Sequence, residues 1–383
     1  MIKKKICILG STGSIGRSTL EIISKNKKDF DVVLLSGNSN VKLLISQAKK
    51  FKPKYIYFNN FYLSQKIKYF CIRNNIVIIN DLNLLNKIKF DITVSAISGI
   101  AGLLPTINII KFSKKILIAN KESIICGWKF IFKEIKKYNC FFRPIDSEHF
   151  SIHSLIENKN KNLIKTIYIT ASGGPFFNKK NVNFKQVTPI QAAKHPKWKM
   201  GKKISIDSAT LMNKVLEVIE ASLIFKLPIN KFKIIIHPES LVHAIVQFKN
   251  ALSSMLYYEN DMKIPIINSL YNNFSNLNTK VDFDKKMSQK LSFYRPNLKK
   301  IPSIKILGFN KILNETGFVL INVVNEILVE RFLEKKIFFS DIVKILLKVL
   351  NSKKVKNYLK NEKIKNIKDV FKTYNFCREI MKC

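Results

Sequence analysis

Short apolar runs ending in glycine, separated by stretches of helical period, set the texture of the first part of the chain. Residues 5–9 (KICIL) run apolar up to Gly10, and a helical pattern follows through Leu20, Ile22 and Ile23. A second run, DVVLLSG, ends at Gly37. Further runs lie at 55–58 (YIYF), 76–79 (IVII), 91–97 (DITVSAI) and 116–119 (ILIA), with helix-like segments between them. This alternation predicts a parallel, doubly wound sheet of Rossmann-like type, an α/β fold.

Beyond about residue 146 the pattern changes. Strand-like runs at 165–170 and 232–237 flank a long helical segment at 207–226, and 233–258 carries further β-like stretches. The Asn-, Lys-, Ser- and Pro-rich stretch from 272 reads as a linker. From about 304 apolar residues recur at helical spacing: Leu320, Val323, Val324 and Ile327, then Ile342, Ile345, Leu346 and Leu350. Ser340 is the expected N-cap of the latter helix. The expected division is a nucleotide-binding domain over 1–146, a catalytic α/β domain over 147–271, a linker over 272–297 and a helical bundle over 298–383.

Chemistry enters first at GSTGSIG (10–16), where Gly10, Gly13 and Gly16 follow a strand and open a helix. Glycines let a backbone approach a pyrophosphate, and the helix N-terminus offers N–H donors. The second strand ends Ser36-Gly37-Asn38-Ser39-Asn40 with no carboxylate. An acidic residue there would bind a ribose 2′-hydroxyl, so its absence favours NADP over NAD.

PIDSEH (144–149) sets two carboxylates, Asp146 and Glu148, around one serine. In an extended chain both would point to one side and could offer oxygen ligands to Mg²⁺ or Mn²⁺; a solvated loop is the bland alternative. In SIDSATLMNKVLEVIEA (205–221) a helix would bring Asn213 and Lys214 onto one face with Glu217, a possible third ligand. Glu220 reads as an ordinary surface acid. ASGGPF (171–176) sets Ser172 before two glycines, a loop able to grip a phosphate. HPKWKMG (195–201) reads as a lid with apolar anchors, Trp198 and Met200. All five histidines (149, 153, 195, 237 and 243) fall within 149–243.

Charge alters this picture little. The chain has 383 residues, with 67 Lys and Arg against 26 Asp and Glu, a formal charge of +41. The lysines are spread along most of its length, which reads as compositional bias rather than a nucleic-acid arm. No apolar run reaches the roughly 18 residues of a membrane span. The six cysteines form no Cys-x-x-Cys pair, so free thiols in a reducing cytosol are expected.

Taken together, GSTGSIG, AGLLPT (101–106), ILIANKES (116–123), PIDSEH, SGGPF (172–176), HPKWKMG, KISIDSATLMNKVLE (203–217), HPESLVHAIV (237–246) and DMKIPI (261–266) resemble the 1-deoxy-D-xylulose 5-phosphate reductoisomerase family. VVNEILVERFLEKKI (323–337) matches more loosely. The resemblance runs nearly end to end. It implies NADPH- and metal-dependent rearrangement and reduction of that sugar phosphate to 2-C-methyl-D-erythritol 4-phosphate, by a cytoplasmic homodimer with no nucleic-acid or membrane partner. It implies that Asp146, Glu148 and Glu217 bind Mg²⁺, Mn²⁺ or Co²⁺. Lys121, Ser147 and Glu148 would meet the reacting end of the substrate. Ser172, His195, Ser208, Asn213 and Lys214 would hold the rest, chiefly its phosphate, with Glu217 close by and Trp198 as a cover. His149 and His243 would support the catalytic groups Lys121 and Glu148. Gly10, Ser11, Thr12, Gly13, Ser14, Ile15, Gly37, Asn38, Asn40, Asn120, Glu122 and Gly201 would line the NADPH site.

Three positions depart from the family pattern. Ser39 stands about where a basic residue is usual, which weakens the expected preference for NADPH over NADH. Phe150 replaces a small polar residue and Val215 a glycine, and neither change removes a ligand. Three other readings stand beside the family reading: an oxidoreductase without skeletal rearrangement, a basic nucleic-acid-binding protein, and a decayed enzyme of this family, against which the intact ligand set argues.

Overall fold

The computed structural model describes residues 2–58, 65–85, 88–179, 181–195, 201–271, 290–298, 302–310 and 312–382. Two compact units make up the chain: Met1–Phe150 with Asp261–Ser275, and Ser151–Asn260 with Asn276–Cys383.

The first unit contains strands β1 (Lys4–Leu9), β2 (Phe30–Ser36), β3 (Tyr55–Tyr57), β4 (Val77–Ile79), β5 (Ile92–Ser95), β6 (Lys115–Ile118) and β7 (Phe141–Pro144). They pair in parallel in the order 4-3-2-1-5-6-7, as the alternating runs predict. Helices α1 (Ser14–Lys25), α2 (Val41–Phe51), α3 (Gln65–Arg73), α4 (Leu103–Ile110) and α5 (Lys121–Lys137) connect them. On α1 the buried positions Gly16, Thr19, Leu20 and Ile23 recur at helical spacing. Ile6, Ile8, Leu35, Ile56 and Val94 form the core beneath that face. The strand order reverses between β1 and β5, and open α/β sheets bind ligands at the carboxyl ends of the strands flanking such a reversal.

Strand β7 was not apparent in the apolar pattern. It is short, holds Arg143, ends in Pro144 and starts at an exposed Phe141, as suits an edge strand. Its end also corrects the extended reading of PIDSEH. Helix α6 (Ser147–Ile156) begins three residues after Pro144, so alternation along a strand does not orient Asp146 and Glu148. The division between the units falls inside this helix, after Phe150.

In the second unit, α7 (Pro189–Ala193), α8 (Lys202–Ala209) and α9 (Met212–Phe225) accompany β8 (Ile164–Ala171), β9 (Phe232–Ile236), β10 (Val242–Phe248) and β11 (Ser253–Tyr257). The strands form a mixed sheet, 11-10-8-9, with β8 and β9 parallel. Ile167, Ile169, Ile234, Ala244 and Val246 pack with Val218, Ala221 and Phe225 of α9. The single helix expected over 207–226 is in fact two. Leu211 takes a left-handed conformation (φ 55°) between α8 and α9, so the backbone turns there despite continuous helical periodicity.

Helix α10 (Lys263–Tyr271) returns to the first unit. Ile266 and Leu270 enter that unit's core, Lys263 Nζ lies 2.7 Å from Glu21 Oε1, and the Tyr271 hydroxyl donates to Asp29 at 2.5 Å. The C-terminal helices α11 (Glu315–Leu333), α12 (Phe339–Asn351), α13 (Lys353–Asn361) and α14 (Ile367–Lys382) lie in the second unit, with α11 packed on both α12 and α14. Ser340 is not the cap of α12. Phe338 stands at the N-cap position, and its N–H donates to Asp341 at 3.2 Å, so the helix starts two residues earlier. Of the cysteines, Cys7, Cys71, Cys126, Cys140 and Cys377 are buried thiols. Among the described residues no helix is long and apolar enough to cross a membrane.

Gly10 has φ +82°, and a Cβ there would run into the backbone of Ala96 and Ile97 at the end of β5. A left-handed conformation alone costs an L-residue about 1–2 kcal/mol. Gly10→Ala is therefore expected to destabilise the protein by about 2 kcal/mol or more in urea unfolding. An unchanged unfolding midpoint would show that the turn relaxes freely.

Candidate functional site

In the first unit the candidate residues gather at the carboxyl ends of β1, β2, β6 and β7. The GSTGSIG turn is fixed from behind. Gly10 N–H donates to Ser36 Oγ at 2.8 Å, Ser11 N–H to the Ser36 carbonyl at 2.8 Å, and Ser11 Oγ to Gln47 at 2.8 Å. Ser11 is fully buried, so its hydroxyl serves the turn itself. Gly13 and Ser14 are exposed, and no side chain caps α1, which leaves its first N–H groups facing outward for an anion. Gly37 packs against Thr12: a Cβ there would lie 3.1 Å from Thr12 Cγ2. Asn38 is exposed, whereas Asn40 caps α2 by accepting from Leu43 N–H at 3.1 Å.

Asn120 ties the end of β6 to the loop after β5. Its amide donates to the carbonyls of Ile97 and Gly99, and its oxygen accepts from Ser123 N–H at 2.8 Å, capping α5. That cap presents Lys121 and Glu122 in the helix's first turn. Lys121 Nζ donates to Asp146 Oδ2 at 2.9 Å. His149 Nδ1 lies 3.1 Å from the same oxygen, and Ser147 N–H donates to Oδ1 at 3.1 Å. Burial tends to raise the Asp146 carboxyl, but the charge of Lys121 and the hydrogen bond from His149 outweigh it. The group sits well below the usual carboxylate range and is anionic at neutral pH. Ser147 Oγ donates to Glu148 Oε2 at 2.5 Å, and both residues are buried. His149 is completely buried, as befits a supporting group.

The second unit holds a cluster built on α8, α9 and two loops. Helix α9 is buried almost all round, and its buried residues include Lys214, Glu217 and Glu220. Charged groups are withdrawn from water only when paired, so their presence in a buried helix makes this a candidate functional surface. Lys214 Nζ lies 2.8 Å from Glu217 Oε2, and the Asn213 amide donates to Glu217 Oε1, the two spacings expected on one helical face. Glu220 is 2% exposed, which overturns its reading as a surface acid.

Ser172 Oγ lies 2.9 Å from His195 Nε2 and accepts from Gly174 N–H at 3.2 Å. Gly173 and Gly174 both have positive φ, and a Cβ on Gly174 would lie 3.1 Å from the Ser208 carbonyl oxygen. The Ser172 loop therefore lies flush against the end of α8, where Ser208 sits largely buried. Gly201 is the exposed N-cap of α8. Trp198, with the remainder of 196–200, lies outside the described residues. His243 stacks on Tyr258 with ring centroids 4.2 Å apart, and the Tyr258 hydroxyl is 3.2 Å from Ser151 Oγ. His237 packs on Phe293 and lies 3.0 Å from Glu239, a structural role. Phe150 and Val215 are buried apolar groups, so these departures from the family pattern fall in packed interior. One buried acid that the sequence gave no reason to single out, Asp207, precedes Ser208 directly.

A reversed-order parallel sheet with a glycine turn at its switch point defines the first unit as a dinucleotide-binding domain, the class found in NAD(P)-dependent oxidoreductases. The comparisons with known proteins are specific. Family descriptions match at residues 6–127 (1-deoxy-D-xylulose 5-phosphate reductoisomerase), 142–225 (its C-terminal domain) and 259–380 (DXP reductoisomerase C-terminal domain). The 1-deoxy-D-xylulose 5-phosphate reductoisomerase of Pelagibacter ubique is 46% identical over 378 residues, 96% of each chain. That of Wolbachia pipientis wMel is 40% identical over 353 residues, 91% of this chain and 90% of its own. Among solved structures, the Zymomonas mobilis reductoisomerase in complex with NADPH is 32% identical, with a TM-score of 0.85 over 99% of this chain and 98% of that one. A DOX-P reductoisomerase in complex with NADPH, fosmidomycin and magnesium is 31% identical, with a TM-score of 0.91 over 99% and 97%. The chain belongs to the 1-deoxy-D-xylulose 5-phosphate reductoisomerase family.

Burial, followed by the nearby charge of Lys214, pushes the His195 imidazole down to about 4. An ordinary histidine titrates near 6.5. Between these values the unfolded chain binds more protons than the folded one, so folding stability falls as pH drops from about 6.5 towards 4. Urea unfolding at pH 7 and pH 4.5 should show a smaller loss for His195→Gln than for the wild type. An identical loss in both would mean that His195 protonates freely in the folded state.

Proposed function

We infer that this chain catalyses the NADPH- and divalent-metal-dependent rearrangement and reduction of 1-deoxy-D-xylulose 5-phosphate to 2-C-methyl-D-erythritol 4-phosphate. The single observation that carries this is 46% identity to a reductoisomerase across 96% of both chains. Solved relatives with NADPH and with magnesium support the same cofactors here.

Asp146, Glu148 and Glu217 are proposed to hold the divalent cation, Mg²⁺, Mn²⁺ or Co²⁺. The donor set suits it, since hard cations prefer carboxylate oxygens. Asp146 is kept anionic by Lys121 and His149, and Glu217 is anchored by Asn213 and Lys214. When bound, the metal supplies a Lewis acid for the oxygens of the reacting carbons, and NADPH supplies hydride.

The protein's own groups divide the remaining work. The reaction moves a carbon–carbon bond and then reduces the aldehyde so formed, so negative charge develops on oxygen. Lys121 would lower the cost of that charge from a fixed position at the start of α5. Ser147 and Glu148 would orient the reacting end, with His149 and His243 as supports. At the other end of the substrate, Lys214 brings the cationic charge for the phosphate, and Ser172, Ser208 and Asn213 contribute hydrogen bonds. His195, uncharged at pH 7, would add a hydrogen bond rather than a charge. The turn from Gly10 to Ile15, with Gly37, Asn38, Asn40, Asn120, Glu122 and Gly201, would receive NADPH. Ser11, Asn40 and Asn120 would act there mainly by shaping the backbone. A homodimeric assembly and a cytoplasmic location accompany this reading. A small sugar phosphate, rather than nucleic acid or a membrane, is its partner.

The deciding assay follows NADPH oxidation with 1-deoxy-D-xylulose 5-phosphate, with and without Mg²⁺ or Mn²⁺. Oxidation should require both substrate and metal; no metal-dependent oxidation would overturn the assignment. Glu217→Gln should lower turnover by about 10³-fold or more while NADPH still binds. Full activity in that variant would remove Glu217 from the ligand set. With NADH in the same assay, Ser39 predicts weaker discrimination against it than a basic residue at that position would give, and Ser39→Arg should sharpen the preference for NADPH.

A further inference from the structure

Ser208 is assigned above to the substrate phosphate, yet α8 is only eight residues long and offers little of its own to fix its rotation. The residue before Ser208 is held strongly. Asp207 is 1% exposed, and its Oδ1 accepts from the Asn325 side-chain amide at 2.7 Å. Its other oxygen, Oδ2, lies 3.0 Å from Lys203 Nζ, one turn earlier on α8. Asn325 is completely buried in the middle of α11, 118 residues further along the chain. A buried carboxylate is costly unless its oxygens are satisfied, and Oδ1 is satisfied from α11.

Successive side chains on a helix are about 100° apart. Pinning Asp207 towards α11 therefore sets the direction of Ser208. The downstream side of the junction is also closed. Thr210 Oγ1 donates to the Ile206 carbonyl at 3.1 Å, and Ser303 Oγ donates to the Thr210 carbonyl at 2.6 Å. The Ser172 loop has its own anchor in the C-terminal helices, because the Phe176 ring meets Phe339 of α12 at 5.4 Å between centroids.

We propose that Asp207 and Asn325 are a positioning pair, through which the C-terminal helix α11 sets the orientation of Ser208 for the substrate's phosphate. The pair touches neither substrate nor cofactor. Its effect falls on sugar-phosphate affinity and leaves NADPH affinity alone. The proposal rests on the assignment of Ser208 to the phosphate, which Ser208→Ala tests separately.

Steady-state kinetics on the full-length enzyme, with each substrate varied in turn and inorganic phosphate as a competitive inhibitor, provides the test. Asn325→Leu removes the donor, and Asn325→Ser is a milder change should the leucine variant fail to fold. Either should raise KM for 1-deoxy-D-xylulose 5-phosphate and Ki for inorganic phosphate by about tenfold, with KM for NADPH unchanged. Asn325→Asp sets two carboxylates together and should be worse than Asn325→Ser. The double exchange of Asp207→Asn with Asn325→Asp restores an amide–carboxylate bond and should recover most of the phosphate affinity. Asn325 variants that lower only the thermal midpoint, or that raise both KM values together, would overturn the proposal by showing a purely structural contact. A Ser208→Ala variant with unchanged phosphate Ki would overturn the assignment of Ser208 and this proposal with it; a raised Ki there beside unaffected Asn325 variants would overturn the proposal alone.

Discussion

Pairing of buried and partly buried carboxylates with lysines is the constraint on which the other features of this structure rest. Asp146 has Lys121 at 2.9 Å, Glu217 has Lys214 at 2.8 Å, and Asp207 has Lys203 at 3.0 Å. A carboxylate removed from water and left alone would take up a proton and cease to be a ligand or a hydrogen-bond acceptor. A lysine beside it keeps the negative charge in place and is itself held in one position. In a chain with 26 acids among 67 basic residues, most lysines face solvent and do little of this kind. The few that face an inward acid include Lys121 and Lys214, the two proposed above to meet the substrate.

The backbone that delivers these pairs is built differently in the two units. In the first, functional groups follow directly on strand ends: Gly10 after β1, Lys121 after β6 and Asp146 after β7. Parallel pairing brings these ends to the same edge of the sheet, and the hydrogen bonds of Asn120 hold neighbouring loops in step. In the second, helices carry the groups. The left-handed residue Leu211 breaks what would be one rod, so Ser208 and the group Asn213, Lys214 and Glu217 come from two helices of independent direction. That independence is why a contact as distant in sequence as Asn325 can influence one of them without moving the others.

Much of the fold was legible because its signals are local. Apolar runs, the first two with glycine stops, gave β1 to β6 within a few residues, and the Asn213, Lys214 and Glu217 spacing gave a shared helical face. Features that depend on surroundings were not legible. Strand β7 lacks an apolar pattern because it lies at the sheet edge. The Leu211 break has no glycine or proline to announce it, since the turn is imposed by packing on either side, including the bond from Ser303 to Thr210. Glu220 looks like any surface acid until the helix around it is found buried. The return of α10 to the first unit depends on Lys263 and Tyr271 meeting Glu21 and Asp29, each 242 residues earlier, and on Ile266 and Leu270 entering that unit's core.

The sequence by itself determined the doubly wound sheet, the glycine turn after β1, the identity of the acids and lysines proposed to carry the chemistry, and the family. Each of these is written in residue type and short-range spacing, which a chain cannot hide. Tertiary structure alone decided which of those charges are withdrawn from water and what stands against them. PIDSEH read as an extended pair of acids; it is a strand end running into a helix, where Asp146 receives Lys121 and His149, and Glu148 receives Ser147. Burial and pairing are properties of the neighbours a residue meets, and distant segments such as α11 become neighbours only when the chain has folded.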